Sequence, residues 1–343
     1  MKYKIPFIRP TFPTSSELIE DYESIVASNW YSNFGEYEQR FSQSAANFIS
    51  SQTYATTVAN CTLGIEIAMR VLFDNSKKYV LMPSFTFAAG AEVIIYNGFT
   101  PVFVDINTKT CQLEIEQAVQ FIENNKQQVA GILLCNAFGV GNKKVGEWEQ
   151  ICKDNSIPLI IDSAAGFGSK YSGEEIVGSR GDCEVFSLHA TKPFAIGEGG
   201  LVSSKDQSLI EKLRMMQNFG FNRDREVECI GINAKLQEIS CAIGLRQLDD
   251  FPKRLQKRQE ILKKYKTYLS PEYYKFQEND NISSVPFVSI IVNNRNQVYE
   301  TLQKNGIEVR KYYNPLLHKQ KTISDKSVSN LELTNAEFIA NSI

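Results

Sequence analysis

The chain has little of several residue types and patterns that mark whole classes of protein. Its 343 residues include only two histidines, His189 and His318, so a histidine-rich metal site is excluded and no metal is expected. Lysine and arginine total 37 against 39 acidic residues, a net charge of −2, which is not the basic footprint of a nucleic-acid-binding protein. No apolar run is long enough to span a bilayer, so we expect no membrane partner.

The chain also lacks the marks of a secreted protein. The amino-terminal residues contain no signal-peptide core. The seven cysteines are odd in number and scattered, and they include no Cys-x-x-Cys pair, which is typical of free thiols in a reducing compartment. We therefore expect a cytoplasmic protein. Its length suffices for one large domain and a smaller one.

Strand-like and helix-like segments alternate between residues 54 and 202. Short apolar runs such as 129–135 are typical of buried strands, and amphipathic segments such as 36–49 are typical of helices. This alternation predicts an α/β fold with a mostly parallel sheet covered by helices. A long charged helix at 252–268 is predicted to lead into the smaller domain.

Reactive side chains lie at or just after the ends of two predicted strands. One apolar run ends on Asp162, a second ends on Ser187, and Lys192 follows five residues later. The carboxyl ends of parallel strands meet at one edge of a sheet, where α/β enzymes bind ligands. A lysine amine can attack an aldehyde, and a buried carboxylate can keep a pyridine nitrogen protonated; pyridoxal phosphate (PLP) offers both groups. Asp105 also ends a predicted strand and is the rival to Asp162.

The motifs around this pair narrow the class of protein. They read Asp162-Ser163-Ala164-Ala165-Gly166-Phe167-Gly168, then Ser187-Leu188-His189-Ala190-Thr191-Lys192, then Gly197-Glu198-Gly199-Gly200. An isolated Asp and Lys at this spacing would more often be surface residues. The combination closely resembles the DegT-like nucleotide-sugar aminotransferases, PLP enzymes of fold type I in the aspartate aminotransferase superfamily. The resemblance runs from Ile5 to about His318.

The resemblance implies a specific architecture and site. The large domain, with a seven-stranded-type sheet, would span residues 1–245, and a smaller α+β domain would span 246–343. PLP would form a Schiff base with Lys192, the catalytic residue. Cofactor contacts would come from Cys61, Thr62, Phe87, Asp162, Ala164, Ser187, His189 and Asn233. Substrate contacts would come from Asn33, Phe34, Lys192, Arg310 and Tyr312.

Most of these assignments have a plainer structural alternative, which the sequence leaves open. Thr62 matches the threonine of a phosphate-binding turn but could cap a helix, and Phe87 matches a ring-stacking aromatic but could be core. The Asn33–Phe34 loop could simply pack aromatics, His189 could be a satisfied buried histidine, and Arg310 a surface arginine. Asn233 could be a turn residue; in the family its segment crosses to the neighbouring subunit, which would make the active site a feature of a homodimer.

The sequence departs from the family pattern in three places. Ala165 stands where Gln or His usually faces the cofactor's phenolic oxygen, and Cys61 stands where glycine is usual. The chain also stops where family members usually continue, so we expect a shortened smaller domain. Lys192 itself favours transamination, because related dehydratases carry histidine at that position.

The resemblance implies a particular reaction. An amino group would move from L-glutamate to a dTDP-linked 4-keto-6-deoxyhexose, giving a dTDP-4-amino-4,6-dideoxyhexose, a kind of sugar used in lipopolysaccharide O-antigens. Amination at C4 is favoured by the opening Pro6-Phe7-Ile8-Arg9-Pro10 and by the loop at 31–35. Amination of the 3-keto isomer and a non-catalytic relative are the alternatives.

Overall fold

A computed structural model describes residues 3–278, 286–328 and 331–343 of the chain. Within these residues the strands are β1 (Tyr54–Val58), β2 (Tyr79–Pro83), β3 (Thr100–Val104), β4 (Val129–Cys135), β5 (Leu159–Asp162), β6 (Cys183–Ser187), β7 (Gly200–Ser204), β8 (Lys275–Phe276) and β9 (Ile290–Ile291). The helices are α1 (Ser15–Ser28), α2 (Glu36–Ile49), α3 (Cys61–Leu72), α4 (Ala89–Tyr96), α5 (Ile115–Asn125), α6 (Val145–Asn155), α7 (Gln207–Met216), α8 (Glu238–Tyr268), α9 (Arg295–Lys304), α10 (Lys321–Ser324) and α11 (Thr334–Ser342).

Seven strands form one sheet in the order β1-β7-β6-β5-β4-β2-β3. Strand β7 runs antiparallel to both of its neighbours, β1 and β6, and the remaining pairs are parallel. The predicted α/β fold with a mostly parallel, seven-stranded sheet is therefore confirmed. The parallel strands β4, β5 and β6 are adjacent, so their carboxyl ends meet at one edge.

Both faces of the sheet are buried, which explains the continuous apolar runs of its strands. Neighbouring residues alternate between two core clusters: Ile160 packs on one face and Ile161 on the other, as do Val185 and Phe186. Helices α3, α4, α7 and α11 contribute to the first cluster, and α2, α5, α6 and α8 to the second. The second cluster contains the fully buried Trp148. The sheet is thus covered on both sides, as expected.

The helix predicted at 252–268 begins 14 residues earlier, at Glu238, which corrects that expectation. Helix α8 runs for 31 residues and contains Pro252 in its interior. A proline there has no N–H to donate to the preceding turn. The guanidinium of Arg254 donates to the carbonyl of Gln247 at 2.5 Å, one residue before the Leu248 carbonyl that Pro252 cannot serve. The long helix spans the proposed domain boundary at residue 245, which stays a prediction.

The start of α1 is stabilised by the residue that precedes it. Thr14 is the N-cap residue, and its side chain and backbone exchange hydrogen bonds with Glu17 in a capping box.

The carboxyl-terminal part of the chain contacts both the amino terminus and the large sheet. Strands β8 and β9 form a small antiparallel pair, and Ile307 bridges to Ile5. Val328 pairs with β3 through hydrogen bonds to Pro101 and Phe103. Helix α11 then buries its apolar face, including Ala336, Ile339 and Ala340, in the first core cluster.

Candidate active site

Asp162 and Lys192 lie near each other at the carboxyl edge of the central strands. Asp162 is the last residue of β5 and lies opposite Val185 of β6, whose end leads to the Lys192 loop. Burial raises the pKa of Asp162, while the nearby positive charge of Lys192 and a hydrogen bond from the Ala164 N–H lower it. A mostly buried carboxylate thus faces a primary amine at one end of the sheet.

Asp105, the rival acid, has a structural role. It follows β3, the edge strand, which lies three strands from β5, or about 14 Å at the usual strand spacing. Its carboxylate accepts from the backbone N–H groups of Asn335 and Ala336 at 2.9 and 2.8 Å. Asp105 therefore caps the start of α11, and the preference for Asp162 agrees with this geometry.

The start of α3 forms an anion-binding edge beside this pair. The side chain of Asn60 caps the helix by accepting from the N–H of Leu63, which leaves the N–H groups of Cys61 and Thr62 without a partner inside the helix. A Cβ at Gly200 would lie 2.8 Å from the nitrogen of Cys61, so glycine is needed for β7 to approach this closely. Such a helix start suits a phosphate group.

Cys61 and Cys135 line the same region. Burial is the main cause that raises the pKa of each thiol, and the charge of Asp162 raises it further while that of Lys192 lowers it. Both thiols are therefore protonated, uncharged neighbours of the candidate site. All seven cysteines of the chain are free, as predicted.

The Lys192 loop is held to the end of β5 by backbone contacts. The N–H of Ser187 donates to the carbonyl of Ala164 at 3.3 Å, and the N–H of Lys192 donates to the carbonyl of His189 at 2.9 Å. The Nδ1 atom of His189 accepts from the N–H of Thr191 at 3.2 Å. The Nε2 atom of the same ring lies 3.5 Å from the carboxylate of Glu198. His189 thus braces the lysine loop, and its cofactor contact stays a prediction.

Phe87 presents an exposed ring near this edge. It follows β2, and 66% of its surface is accessible, whereas Phe85, two residues earlier, is fully buried. The hydroxyl of Thr86 contacts the thiol of Cys135 at 3.2 Å, which ties this loop to the end of β4. An exposed aromatic at a strand end is free to stack on a flat ligand.

Three further expected contacts lie in loops or at the surface of the protein. Asn233 is exposed, and its side-chain oxygen accepts from Lys235 at 2.8 Å. Asn33 and Phe34 form part of the loop between α1 and α2. Arg310 is exposed and pairs with Glu308 at 2.7 Å.

The structure adds one residue that the sequence analysis did not single out. Tyr313 is mostly buried, and burial together with the charges near it, including that of Asp162, raises the pKa of its hydroxyl. Its ring stacks on Phe138 and meets Phe85 edge to face. The neighbouring Tyr312 stacks on Phe287 at 5.3 Å between ring centroids. In the sequence, the two consecutive tyrosines indicate a packed segment. They do not show which of the two side chains approaches Asp162.

The chemical groups at this edge match those of PLP. Lys192 supplies an amine for an aldehyde, Asp162 a carboxylate for a ring nitrogen, and the start of α3 supplies N–H donors for a phosphate. Ala165 is the mismatch, because its methyl group cannot bond a phenolic oxygen. The residues present therefore fit the cofactor at three of its functional groups.

Comparison with known proteins places this fold and site in a class. The chain superposes on the crystal structure of a Bacillus cereus protein assigned as a PLP-dependent aminotransferase with a TM-score of 0.91, at 32% identity, over 98% of this chain and 93% of that one. Residues 14–343 match the DegT/DnrJ/EryC1/StrS aminotransferase family. The chain belongs to this family, and it is a PLP-dependent sugar aminotransferase.

Three relatives are similar to this chain over most of its length. A Mycobacterium tuberculosis protein is 42% identical over 342 residues, which cover 98% of this chain and 82% of that protein. The GDP-perosamine synthase of Escherichia coli O157:H7 is 30% identical over 95% of this chain and 88% of its own length. The dTDP-4-amino-4,6-dideoxy-D-glucose transaminase of Escherichia coli is 27% identical over 97% and 91%, respectively.

No helix in the part of the chain that the structure describes has both the length and the apolar character needed to cross a membrane.

Proposed function

We propose that this enzyme transfers an amino group from L-glutamate to a dTDP-linked 4-keto-6-deoxyhexose, giving a dTDP-4-amino-4,6-dideoxyhexose. The observation that carries the proposal is the pairing of Asp162 with Lys192 at the sheet edge, beside the free N–H groups at the start of α3. These are the groups that a PLP-dependent transamination needs.

Each residue has a distinct task in the proposed reaction. Bound PLP supplies an electron-accepting ring and an aldehyde carbon. Lys192 would hold the cofactor through its Nζ, and the same amine, once released, would take and return the proton at the reacting carbon. The carboxylate of Asp162 would keep the ring nitrogen protonated. The N–H groups of Cys61 and Thr62 would hold the phosphate, and Phe87 would cover one ring face and exclude water.

The nucleotide and the position of amination are the finer parts of the proposal. The relative named as a dTDP-4-amino-4,6-dideoxy-D-glucose transaminase supports dTDP and C4. The GDP-perosamine synthase makes GDP the first competing nucleotide to test. The runner-up reaction is amination at C3 of the 3-keto isomer.

A homodimer is part of the proposal. The loop before α8 exposes four large apolar side chains, Phe219, Phe221, Val227 and Ile230, and the last is 80% accessible. The exposed Asn233 follows directly. A second copy of the chain would cover such a surface and could receive Asn233 at its own cofactor phosphate. The seven free thiols support a reducing compartment, and we place the enzyme in the cytoplasm.

A product assay tests the proposed reaction directly. The purified enzyme is incubated with PLP, L-glutamate and either the 4-keto or the 3-keto isomer of the dTDP sugar, and any amino sugar is identified by mass spectrometry and NMR. The GDP-linked 4-keto sugar is tested in parallel. Amine at C4 of the dTDP sugar supports the proposal, amine at C3 supports the runner-up, and turnover of the GDP sugar alone refutes the nucleotide assignment.

The cofactor itself has an optical signature that separates the enzyme from a non-catalytic relative. A protein that holds PLP covalently is yellow and absorbs at roughly 410–430 nm. A colourless protein that takes up no added PLP and forms no product would support the non-catalytic alternative.

A further inference from the structure

Two consecutive residues in the loop between α1 and α2 have an unusual backbone conformation. The φ angles of Asn33 and Phe34 are 63° and 61°, in the left-handed region that residues other than glycine rarely adopt. Such strain persists only where the surrounding structure holds the residue in place, and it is concentrated at ligand-binding sites. The loop at 29–35, hereafter the aromatic loop, must therefore be held in place by contacts with the rest of the protein.

One such contact is made by the guanidinium of Arg214, on α7, which packs against the ring of Phe34. Its Cζ lies 4.2 Å from the centroid of the Phe34 ring, which is a cation–π distance. The same guanidinium forms a bidentate pair with Glu38, with Nη1–Oε1 and Nη2–Oε2 distances of 3.1 and 2.9 Å. Glu38 is buried and also accepts from the hydroxyls of Ser42 and Thr57. These bonds fix the plane on which Phe34 rests.

Glu238 secures the two ends of the aromatic loop. Its backbone N–H donates to the carbonyl of Tyr31 at 3.0 Å, and its carboxylate accepts from the N–H groups of Tyr37 and Glu38 at 2.8 and 3.2 Å. Gly35 makes this approach possible, because a Cβ there would lie 2.5 Å from the carboxylate. The loop is therefore clamped at its ends by Glu238 and supported at its centre by Arg214.

The aromatic loop presents suitable side chains on its outer surface. Trp30 and Tyr31 are each about half exposed, and Asn33 is exposed as well. Aromatic faces can stack on a nucleobase, and an amide can bond its polar edge. Arg214 itself is occupied by Glu38, so its charge is already paired within the protein.

We propose that Arg214 is a positioning residue that acts through Phe34 to hold the aromatic loop in the conformation that receives the nucleotide of the sugar substrate. This inference rests on the proposed function. It assigns to Arg214 an indirect role, in which loss of the guanidinium and loss of the Phe34 ring have the same consequence.

Nucleotide binding and loop order are measured on the PLP-loaded enzyme. Calorimetry first establishes which of dTDP, GDP and UDP binds the wild-type enzyme, and that nucleotide is then titrated into Arg214→Met, Phe34→Leu and the double variant. We expect each single change to raise the dissociation constant about tenfold, within the usual range of a partly desolvated cation–π contact. The double variant should show little further rise, because both changes remove one interaction.

Tryptophan fluorescence reports loop order without any ligand. The chain has two tryptophans: Trp148 is fully buried, and Trp30, in the aromatic loop, is 54% exposed and donates to the carbonyl of Asn33. Acrylamide quenching therefore reports on Trp30. Both single variants should be quenched more readily than the wild type, because the loop loses its support.

Two variants control for unfolding of the protein and for the loss of an arginine as such. Arg214→Met strands the buried Glu38 and could unfold the protein, whereas Phe34→Leu leaves that ion pair intact. Arg40→Met is the matched control. Arg40 also pairs with an acid, Glu36, and lies over an aromatic ring, that of Tyr37 at 5.2 Å, but it sits on the exposed side of α2. We expect Arg40→Met to change neither nucleotide affinity nor quenching.

The outcomes separate the two proposals. Weaker binding in both single variants, without additivity and with stronger quenching, supports the positioning role. Normal binding in both variants overturns it while leaving the proposed function intact. Weaker binding in Arg214→Met alone would show that Arg214 does not act through Phe34, which also overturns it. Absence of nucleotide binding by the wild-type enzyme would refute the proposed function and this inference together.

Discussion

Glu184 is a fully buried carboxyl group with four hydrogen-bond donors around it. Its carboxylate accepts from the hydroxyl of Ser163 at 2.6 Å and from the N–H groups of Gly178 and Arg180 at 2.7 and 3.0 Å, and the hydroxyl of Tyr171 is the fourth donor. Burial outweighs these bonds and raises the pKa of Glu184 from 4.5 to about 7. Stability should therefore depend on pH through this residue.

The direction and size of the effect follow from this shift. Because the folded-state pKa exceeds the unfolded-state value, the folded chain keeps its proton as the pH rises above 4.5. The stability present below pH 4.5 is lost progressively until the pH passes about 7. A shift of this size corresponds to a loss of about 3 kcal/mol in the free energy of unfolding.

The variant Glu184→Gln should remove this pH dependence. Glutamine has nearly the same shape, its oxygen can accept from Gly178 and Arg180, and its amide can donate to the hydroxyls of Ser163 and Tyr171. Urea unfolding is measured from pH 5 to pH 8 for both proteins at the same cofactor load. We expect the wild type to lose about 2.5 kcal/mol relative to the variant across that range, most of the full effect.

A control variant tests for effects that the loss of any carboxylate would have on the pH dependence. Glu147→Gln changes an exposed acid in the first turn of α6 and should leave the wild-type pH dependence in place. Other buried acids titrate in the same range, so the quantity that decides is the difference between Glu184→Gln and the wild type. If the two proteins show parallel pH profiles, Glu184 is ionised throughout and the reasoning from burial fails.

Three further predictions concern the site and its supports. Lys192→Ala should abolish transamination and the roughly 410–430 nm absorption while leaving the unfolding curve of the PLP-free protein unchanged; retained turnover would reject the assignment. Asp162→Ala should weaken PLP retention measured by dialysis, whereas Asp105→Ala should lower stability by about 1 kcal/mol through the lost helix cap and spare the cofactor; the reverse pattern would exchange their roles. Gly35→Ala should lower the free energy of unfolding in urea by about 1–3 kcal/mol, because the added methyl group would clash with a carboxylate. Gly146→Ala adds a methyl group in open space and should not lower it. Equal stability of the two variants would mean that the loop moves to accommodate the methyl group without cost.

Much of the large domain could be predicted from local patterns. The bounds of α2 and β4 agree with those expected, because side-chain burial alternates with a period that the sequence displays directly. The Asp162–Lys192 pairing was also predictable, because adjacent parallel strands must end at the same edge.

The errors and omissions have a common cause in long-range contacts. Helix α8 continues through Pro252, although proline usually interrupts a helix; Phe251 and Leu262, on either side of it, are buried, and packing outweighs the local preference. The capping role of Asp105 depends on residues about 230 positions later in the chain. Nothing in the local sequence around either residue indicates that the two will bind each other.

Local sequence therefore accounts for which segments become strands and helices and for the amine, carboxylate and helix start that PLP chemistry needs. Tertiary structure alone decides which of two strand-end acids faces Lys192 and which arginine supports the aromatic loop. Arg214 and Glu38 lie 176 residues apart and meet only when α7 and α2 pack beside β1. The reason is physical: periodicity is a property of neighbouring residues, whereas a buried charge finds its partner only after the chain has closed around it.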